Sequence, residues 1–459
     1  MQKMTKNEII RAVEGNLIHD AEGETISGIC IDSRRVKKGD LFIAIKGENF
    51  DGHEFIHHAI ESGASACIIS DPNKRNKNAD MILVENTLTA LQKLAFHYRK
   101  KFTIPFIAIT GSSGKTTTKD MIAAVLSQKY DVLKTQGNYN NEIGLPLTLF
   151  QLEPHHEIAV IEMGMSDLGE ISTLVHMVYP DIAVITNIGL THIENLGTQE
   201  KIFEAKKEIL ETLGTNHIAL LNGDDQYLQG INSEKYRVAH IGIEGKKLGL
   251  KASNIIKDQK EVAFSVEEGR KNIGNFKLSL PGIHNIYNGL MAIYIGKHFN
   301  LSQQEIQQGL DRFKPSQMRM DIFKAGEIEV INDVYNANPD SMNAALQVLR
   351  DFNKSSRKIA ILGDMLEMGD WSKKAHVEIG HYVSKMGIEV LLTLGEYSSY
   401  YIQGARNGGM PKNRTLAFSS NSEVIEYLTS FIENGDVFLV KGSRGLKMEK
   451  IVNFLQERS

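Results

Sequence analysis

Apolar positions along the chain fall into two rhythms. One is the short continuous run: "DLFIAIKG" at 40–47, "SACIISD" at 65–71 and "DMILVEN" at 80–86. Runs of this length, rich in β-branched residues, predict strands. The other is the helical spacing of "LTALQKLAFHYRKKF" at 88–102, which closes a first unit over residues 1–100. Pro105 lies at the opening of a second unit, 101–313, in which "FIAIT", "IAVIEMG" and "DIAVITNIG" alternate with helical patterns. Strands that are apolar on both faces and separated by helices predict a parallel sheet covered on both sides. Near "DRFKPSQMRMD" (311–321) the pattern resets. A third unit, 314–459, repeats the alternation with "IEVIND", "KIAILGD", "EVLLTLG" and "DVFLVKGS". That predicts a smaller, Rossmann-like doubly wound sheet. The expected fold class is therefore α/β in three domains, and 459 residues at roughly 150 per domain agree with it.

Composition narrows the field without choosing a function. The hydrophobic share of 42% and charged share of 24% suit a globular protein. A net charge of −4 with no dense Lys/Arg block argues against a nucleic-acid partner. Cys30 and Cys67 fit no metal or redox spacing and suit a reducing, cytoplasmic setting. The N-terminal stretch lacks the apolar core of a signal peptide. No segment approaches the roughly 20 apolar residues that cross a bilayer. The expectation is a cytoplasmic monomer without membrane insertion.

Candidate chemistry begins in "PFIAITGSSGKTTTKDMIAAVL", residues 105–126, which reads as strand, Gly/Ser turn and helix. Such a turn points backbone N–H groups at one spot, and the helix dipole adds partial positive charge there. Gly111, Ser112, Ser113, Gly114, Lys115, Thr116 and Thr117 form the candidate phosphate cradle. Lys115 is placed to reach terminal phosphates and the Thr116 hydroxyl to ligate Mg2+. The common G-x-x-x-x-G-K-[ST] pattern needs glycine where this chain has Ile109; the shorter T-G-x-x-G-K-T stands instead. The alternative is an ordinary glycine turn with a surface lysine. The motif alone does not separate kinase, ATPase, ligase and switch.

Two more strand ends carry polar groups. "HEIAVIEMG" delivers Glu162, and the loop after "DIAVITNIG" carries His192. In an open parallel sheet, ligands gather beyond the carboxyl ends of the strands. A carboxylate and an imidazole beside a phosphate turn are candidate metal groups; an isolated histidine is more often a hydrogen-bonded structural residue, and the position of both at successive strand ends beside the turn is what favours the metal reading. In the helix "TQEKIFEAKKEILETLG", Ile202, Phe203, Ile209, Leu210 and Leu213 share one face, with Lys206 near its centre. A core-facing lysine is costly unless paired or neutralised. Lys206 either snorkels past the stripe, pairs with a buried acid, or is a desolvated amine with special chemistry.

In this order, and over nearly the whole chain, these residues resemble the Mur ligases, ATP-dependent amide-forming enzymes of peptidoglycan precursor synthesis. The resemblance implies a P-loop ATPase-like central domain and a carbamate on Lys206 that supports a second Mg2+. It implies Thr116 at the first Mg2+, with Glu162 and His192 serving the metal site. "GIHNIYNGLMA" is similar to the family's adenine segment, which implies base contacts from Asn285 and Asn288. Arg319 is implied at the nucleotide phosphates, and Asp333 and Asn336 of "INDVYNANPDSM" at the ribose and its surroundings. "GICIDSRRVKKGDLFIAIKGENFDGHEFI" resembles the family's uridine-nucleotide domain, with Ser33 and Arg34 as diphosphate contacts.

Members of the family differ in the amino acid they add. The chain lacks the Asp-Asn-Pro-Arg motif of the member that adds the third residue. "DVYNANPDS" and "TQGNYNNEIGLPLTL" resemble the member that joins D-alanyl-D-alanine to UDP-N-acetylmuramoyl-tripeptide, making those two molecules the expected partners. Asn138 and Asn141 are then substrate candidates. Lys441, Ser443 and Arg444 of "VKGSRG" either position substrate carboxylates or form a plain strand–helix turn. The implied reaction phosphorylates the tripeptide carboxylate with ATP, and Lys115, Glu162, His192 and Lys206 are its expected catalytic set. If Asn285, Arg319 and Asp333 all touch one ATP, the third domain must close over it and exclude water. The rivals are folylpolyglutamate synthase, which lacks a uridine-nucleotide domain, the lysine- or diaminopimelate-adding Mur ligase, and a nucleotide-dependent regulator that does not ligate.

Overall fold

The computed structural model describes residues 1–21, 25–47, 50–352 and 355–457. Residues 48 and 49, inside the uridine-type stretch, lie outside them. The apolar runs form strands of three large sheets. The first has five strands in the order Asn16–His19, Asp80–Leu83, Ala66–Ile69, Asp40–Ile43 and Gly28–Cys30, parallel except at the Asn16–His19 edge. Helix Thr87–Arg99 leads from this sheet into the next.

The central sheet has nine strands. At its heart Phe106–Thr110 lies between Ile158–Glu162 and Ile182–Ile185, all parallel. Alternate residues of a strand face opposite sides, and both sides here are covered. Phe106 and Ala108 pack into a core shared with Leu94 and Tyr98 of the first domain. Ile107 and Ile109 pack with Met121 and Ile286, from helices Lys115–Leu126 and His284–His298. Both-sided burial is why these strands read as unbroken apolar runs.

The far half of that sheet is not among the strands read from the pattern. Leu250–Lys257, Val262–Glu268 and Lys271–Leu278 extend it as an antiparallel meander. Exposed and half-buried positions interrupt these strands, so their sequences are too polar to stand out.

The third sheet has six strands in the order Asp321–Ala325, Ile328–Asp333, Val437–Lys441, Lys358–Gly363, Val390–Leu394 and Thr415–Phe418. Its first pair is antiparallel and the rest parallel. Register sets Asp333 beside Lys441 at the carboxyl ends of neighbouring strands. The helix carrying Lys206 runs from Gln199 to Lys207 and tightens into a 3-10 turn over Glu208–Leu210. Ile202, Ile209, Leu210 and Leu213 of its stripe are buried, and Phe203 stacks on Tyr227. No helix among the described residues is long and apolar enough to cross a membrane.

Candidate active site

The turn after Phe106–Thr110 depends on two glycines. Gly111 has φ +148°, and a Cβ there would lie 1.9 Å from Thr186 Oγ1. Gly114 has φ +81°, and a Cβ there would lie 2.8 Å from Asn288 Oδ1. Only glycine fits both the dihedral angles and the space. Neighbouring strand ends then hold the turn. Ser112 Oγ donates to the Gly189 carbonyl (2.9 Å), Ser113 N–H to Asn187 Oδ1 (2.9 Å), and Thr186 Oγ1 to the Ser113 carbonyl (2.6 Å). Helix Lys115–Leu126 starts directly from Gly114 without a side-chain cap, so its first turn points N–H groups at the site.

Positive charge is concentrated around this turn. Lys115 Nζ folds back to donate to the Gly111 carbonyl at 2.6 Å. Burial pushes its pKa down; Glu162 opposes this and Arg319 adds to it. The Arg319 guanidinium lies 3.8 Å from the centre of the Tyr335 ring. Lys206 is 1% exposed. Burial, reinforced by Lys115, drives its pKa well below the ordinary lysine value. Cations that repel one another in a low-dielectric cleft form an electrostatic demand for an anion.

Glu162 supplies the opposite charge. It is 1% exposed, and its Oε1 accepts from Asn140 Nδ2 at 2.8 Å. Its Oε2 is buried without a hydrogen-bond partner, 3.7 Å from Lys119 Nζ. A buried carboxylate oxygen left over in this way suits a metal ion. Thr116, also buried, begins the adjacent helix. No cluster of three or more His, Cys, Asp or Glu residues placed to hold a metal occurs among the described residues. One carboxylate and a hydroxyl still fit Mg2+, because phosphate oxygens and water complete its shell. His192 has φ +56°, and its Nδ1 lies 2.6 Å from Glu367 Oε2 of the third domain.

Many of these groups line one cavity of about 480 Å3. It takes in the turn from Ser112 to Thr117, Asn141, Glu162 and His192, together with Asn285, Asn288, Arg319, Asp333, Asn336 and Lys441. The two buried asparagines are held in a chain: Asn285 Nδ2 donates to the Pro281 carbonyl (2.7 Å) and Asn288 Nδ2 to Asn285 Oδ1 (3.1 Å). Lys441 Nζ is engaged with Asp333 Oδ2 (2.5 Å) and the Asn336 carbonyl (2.9 Å). The amine that the sequence offered to a substrate carboxylate thus braces the loop of Asp333 and Asn336.

Seven of the expected residues are not among those lining the cavity: Gly111, Lys206, Asn138, Ser33, Arg34, Ser443 and Arg444. Ser33 and Arg34 form a 3-10 turn of the first domain, where Arg34 forks onto Asp32 at 2.8 and 2.9 Å. Arg444 Nη1 lies 2.7 Å from the Met318 sulfur. The cavity also contains residues the sequence reading passed over, among them Asn140, Tyr335, His284 and Asn338. Asn338 caps helix Pro339–Asp351, and its Nδ2 donates across the domain boundary to Ser113 Oγ at 3.2 Å. The cap was legible in "NPDS"; the cross-domain bond was not.

A phosphate cradle in a doubly wound sheet, covered by a second sheet domain that reaches the same cavity, defines a nucleotide-using enzyme of the P-loop type. Residues 25–99 match the Mur ligase family catalytic domain, 109–296 the Mur ligase middle domain, and 318–444 the Mur ligase glutamate ligase domain. The chain is 38% identical to the UDP-N-acetylmuramoyl-tripeptide–D-alanyl-D-alanine ligase of Bacillus subtilis, an alignment covering 100% of this chain and 99% of that one. Its structure superposes on MurF from Acinetobacter baumannii with a TM-score of 0.91 at 29% identity, covering 100% and 99% of the two chains. It superposes on MurF from Thermotoga maritima in complex with ADP with a TM-score of 0.83 at 28% identity, covering 94% and 97%. The chain belongs to the Mur ligase family and is an ATP-dependent ligase.

Proposed function

We propose that this enzyme joins D-alanyl-D-alanine to UDP-N-acetylmuramoyl-tripeptide, giving the pentapeptide, ADP and phosphate, as a cytoplasmic monomer. The observation that carries the reading is the single cavity in which the phosphate turn, Glu162 and His192 meet Arg319 and Asp333 of the third domain. Similarity to the Bacillus subtilis ligase over the full length supports the choice of substrates.

The three units, 1–100, 101–313 and 314–459, divide the work. Ser33 and Arg34 of the first would hold the uridine diphosphate, and Asn138, Asn141, Lys441 and Arg444 would lie on the peptide side. Asn285 and Asn288 would take the adenine, Asp333 and Asn336 the ribose, and Arg319 the phosphates. The terminal carboxylate of the tripeptide attacks the γ-phosphorus; an O–P bond forms and ADP leaves. Lys115, exchanging the Gly111 carbonyl for phosphate oxygen, follows the charge that develops. The amine of D-alanyl-D-alanine then attacks the acyl carbon, phosphate departs with the C–O bond, and a proton is released. Thr116 would hold one Mg2+, and Glu162 with His192 the other; when bound, these ions neutralise the phosphate oxygens. Lys206, whose ammonium form burial and Lys115 disfavour, is suited to take up CO2 as a carbamate with release of a proton, which would set an anion beside Lys115.

The test is phosphate release with ATP, Mg2+, UDP-N-acetylmuramoyl-tripeptide and D-alanyl-D-alanine, with the product weighed by mass spectrometry. Release that needs both substrates and yields the pentapeptide is expected. Release only with the dipeptide precursor and lysine or diaminopimelate would assign the neighbouring step of the family instead. The Lys206 reading predicts that Lys206→Ala loses turnover and that a short carboxylate restores part of it; full turnover in the variant would overturn it.

A further inference from the structure

His192 and Glu367 both adopt left-handed backbone conformations, with φ of +56° and +62°, and they face each other across the boundary between the central and third domains. Such conformations are uncommon outside glycine, and a pair in contact marks a place where the surroundings dictate the backbone. On the central side, His192 starts the short helix Ile193–Leu196, its carbonyl accepting from the Asn195 and Leu196 N–H groups. On the third-domain side, the loop before Glu367 is tied down twice. Met365 N–H donates to His376 Nε2 at 3.1 Å, and Leu366 N–H donates to Ser443 Oγ at 2.9 Å. Main chains also meet: Glu194 N–H donates to the Glu367 carbonyl at 3.2 Å. A Cβ on Gly369 would lie 3.2 Å from Glu194 Cα, so the two loops are in close contact.

The side chains complete the clasp. A carboxylate 2.6 Å from Nδ1 takes that nitrogen's proton as a hydrogen bond, which leaves Nε2 as the lone-pair nitrogen. His192 lines the cavity.

We propose that Glu367 is a positioning residue: it accepts a hydrogen bond from His192 Nδ1–H, fixes the tautomer that presents Nε2 to a divalent cation, and makes cation binding depend on docking of the third domain. The inference rests on the reading of His192 as a metal ligand. Carboxylates placed behind a ligating histidine act in this way, and removing one typically weakens metal binding about 10–100-fold.

The experiment uses the full chain with ADP and UDP-N-acetylmuramoyl-tripeptide present, and titrates Mn2+ by the paramagnetic resonance of the free ion. Three variants are compared: His192→Ala, Glu367→Gln, and Glu367→Gly, which suits a φ of +62° and removes the side chain without backbone strain. His192→Ala and Glu367→Gly should each weaken Mn2+ binding about tenfold or more. Glu367→Gln should lose less, because its amide oxygen still accepts from Nδ1. Nitrogen-15 spectra should show the His192 Nδ1–H tautomer in the unaltered protein and a mixture in Glu367→Gly. The apparent KM for Mg2+ should rise in the same order while the KM for UDP-N-acetylmuramoyl-tripeptide stays put. If His192→Ala weakens Mn2+ binding and neither Glu367 variant does, the inference is wrong and the metal reading stands. If His192→Ala binds Mn2+ like the unaltered protein, the metal reading fails and the inference falls with it. Should Glu367→Gly not fold, Glu367→Asn takes its place, since asparagine tolerates a left-handed backbone and its shorter side chain draws the acceptor away from Nδ1: an unaltered tautomer and Mn2+ affinity there overturn the proposal.

Discussion

Tyr98 and Asn338 both carry a contact from one domain to the next, and they do so by different physics. Tyr98 is fully buried between the rings of Phe102 and Phe150, its hydroxyl donating to the Leu152 carbonyl (2.7 Å) and accepting from Gln2 N–H (2.7 Å). Beside it the Arg99 guanidinium lies 3.9 Å from the centre of the Phe106 ring and donates to the carbonyls of Val178 (2.5 Å) and Tyr179 (3.2 Å), at the end of helix Glu170–Val178. The junction of the first and central domains is thus built like a core. The junction of the central and third domains shares the same apolar core, which runs from Ile188 and Ile193 to Met365 and Met368, but adds polar contacts around a cavity: Asn338 to Ser113, Ser316 Oγ to Asp120 (2.9 Å) and His192 to Glu367. Apolar burial gains free energy with area and keeps a junction shut. A hydrogen bond exposed to water exchanges for one with solvent at a net cost of only about 1 kcal/mol. The first junction is therefore suited to hold its domains as one body, and the polar, cavity-lined side of the second to open and close around ligands.

The sharpest way to break this contrast is Tyr98→Ala. Removal of a buried aromatic ring should cost about 3–5 kcal/mol of stability in denaturant titrations, with the KM for ATP unchanged in whatever remains folded. Lys115→Ala should do the reverse. Turnover should fall about 10²–10³-fold, the usual loss of one preorganised electrostatic group, while the melting temperature holds or rises because a half-buried cation is gone.

Acid should act on both sides of the junction between the central and third domains. His284, which lines the cavity, and His376, buried in the third domain, are both pushed down to about 4 by burial, from 6.5. Above pH 6.5 both are neutral, folded or unfolded. As pH falls from 6.5 towards 4 the unfolded chain takes up protons that the folded one refuses. Each imidazole should then remove up to about 3 kcal/mol of stability. Calorimetry between pH 7 and 4.5 should show this loss, and His376→Gln should flatten part of the slope.

The smallest effect belongs to Asn338→Ala, which deletes a helix cap and one cross-domain bond, worth about 1 kcal/mol each. A modest rise in the KM for ATP is expected, together with an X-ray scattering curve less compact with nucleotide bound. Scattering curves that nucleotide and UDP-N-acetylmuramoyl-tripeptide leave unchanged in the unaltered protein would contradict the idea of an opening junction.

Much of this was legible in the residues. The strands of the parallel sheets announce themselves because burial on two faces leaves no polar position. The phosphate turn announces itself because only glycine fits at 111 and 114 and because a lysine follows at once. Lys206 stood out for the opposite reason, as a charge in an apolar stripe. The meander over 250–278 was passed over because its interrupted apolar pattern hides the strands. Asn140 was passed over in favour of Asn138 and Asn141, since three asparagines in one loop look alike until one of them meets Glu162.

What the sequence determined by itself is local: which segments are strands and helices, where a turn needs glycine, and which residue types stand at strand ends. Periodicity and dihedral preference act over a few residues, so a string of letters carries them in full. The tertiary structure alone decided which of those ends meet. It gave Lys441 to Asp333, and it gave His192 a carboxylate from a loop 175 positions along the chain. Such pairings depend on the relative placement of whole sheets, which arises from the summed packing of their cores and is written at no single position.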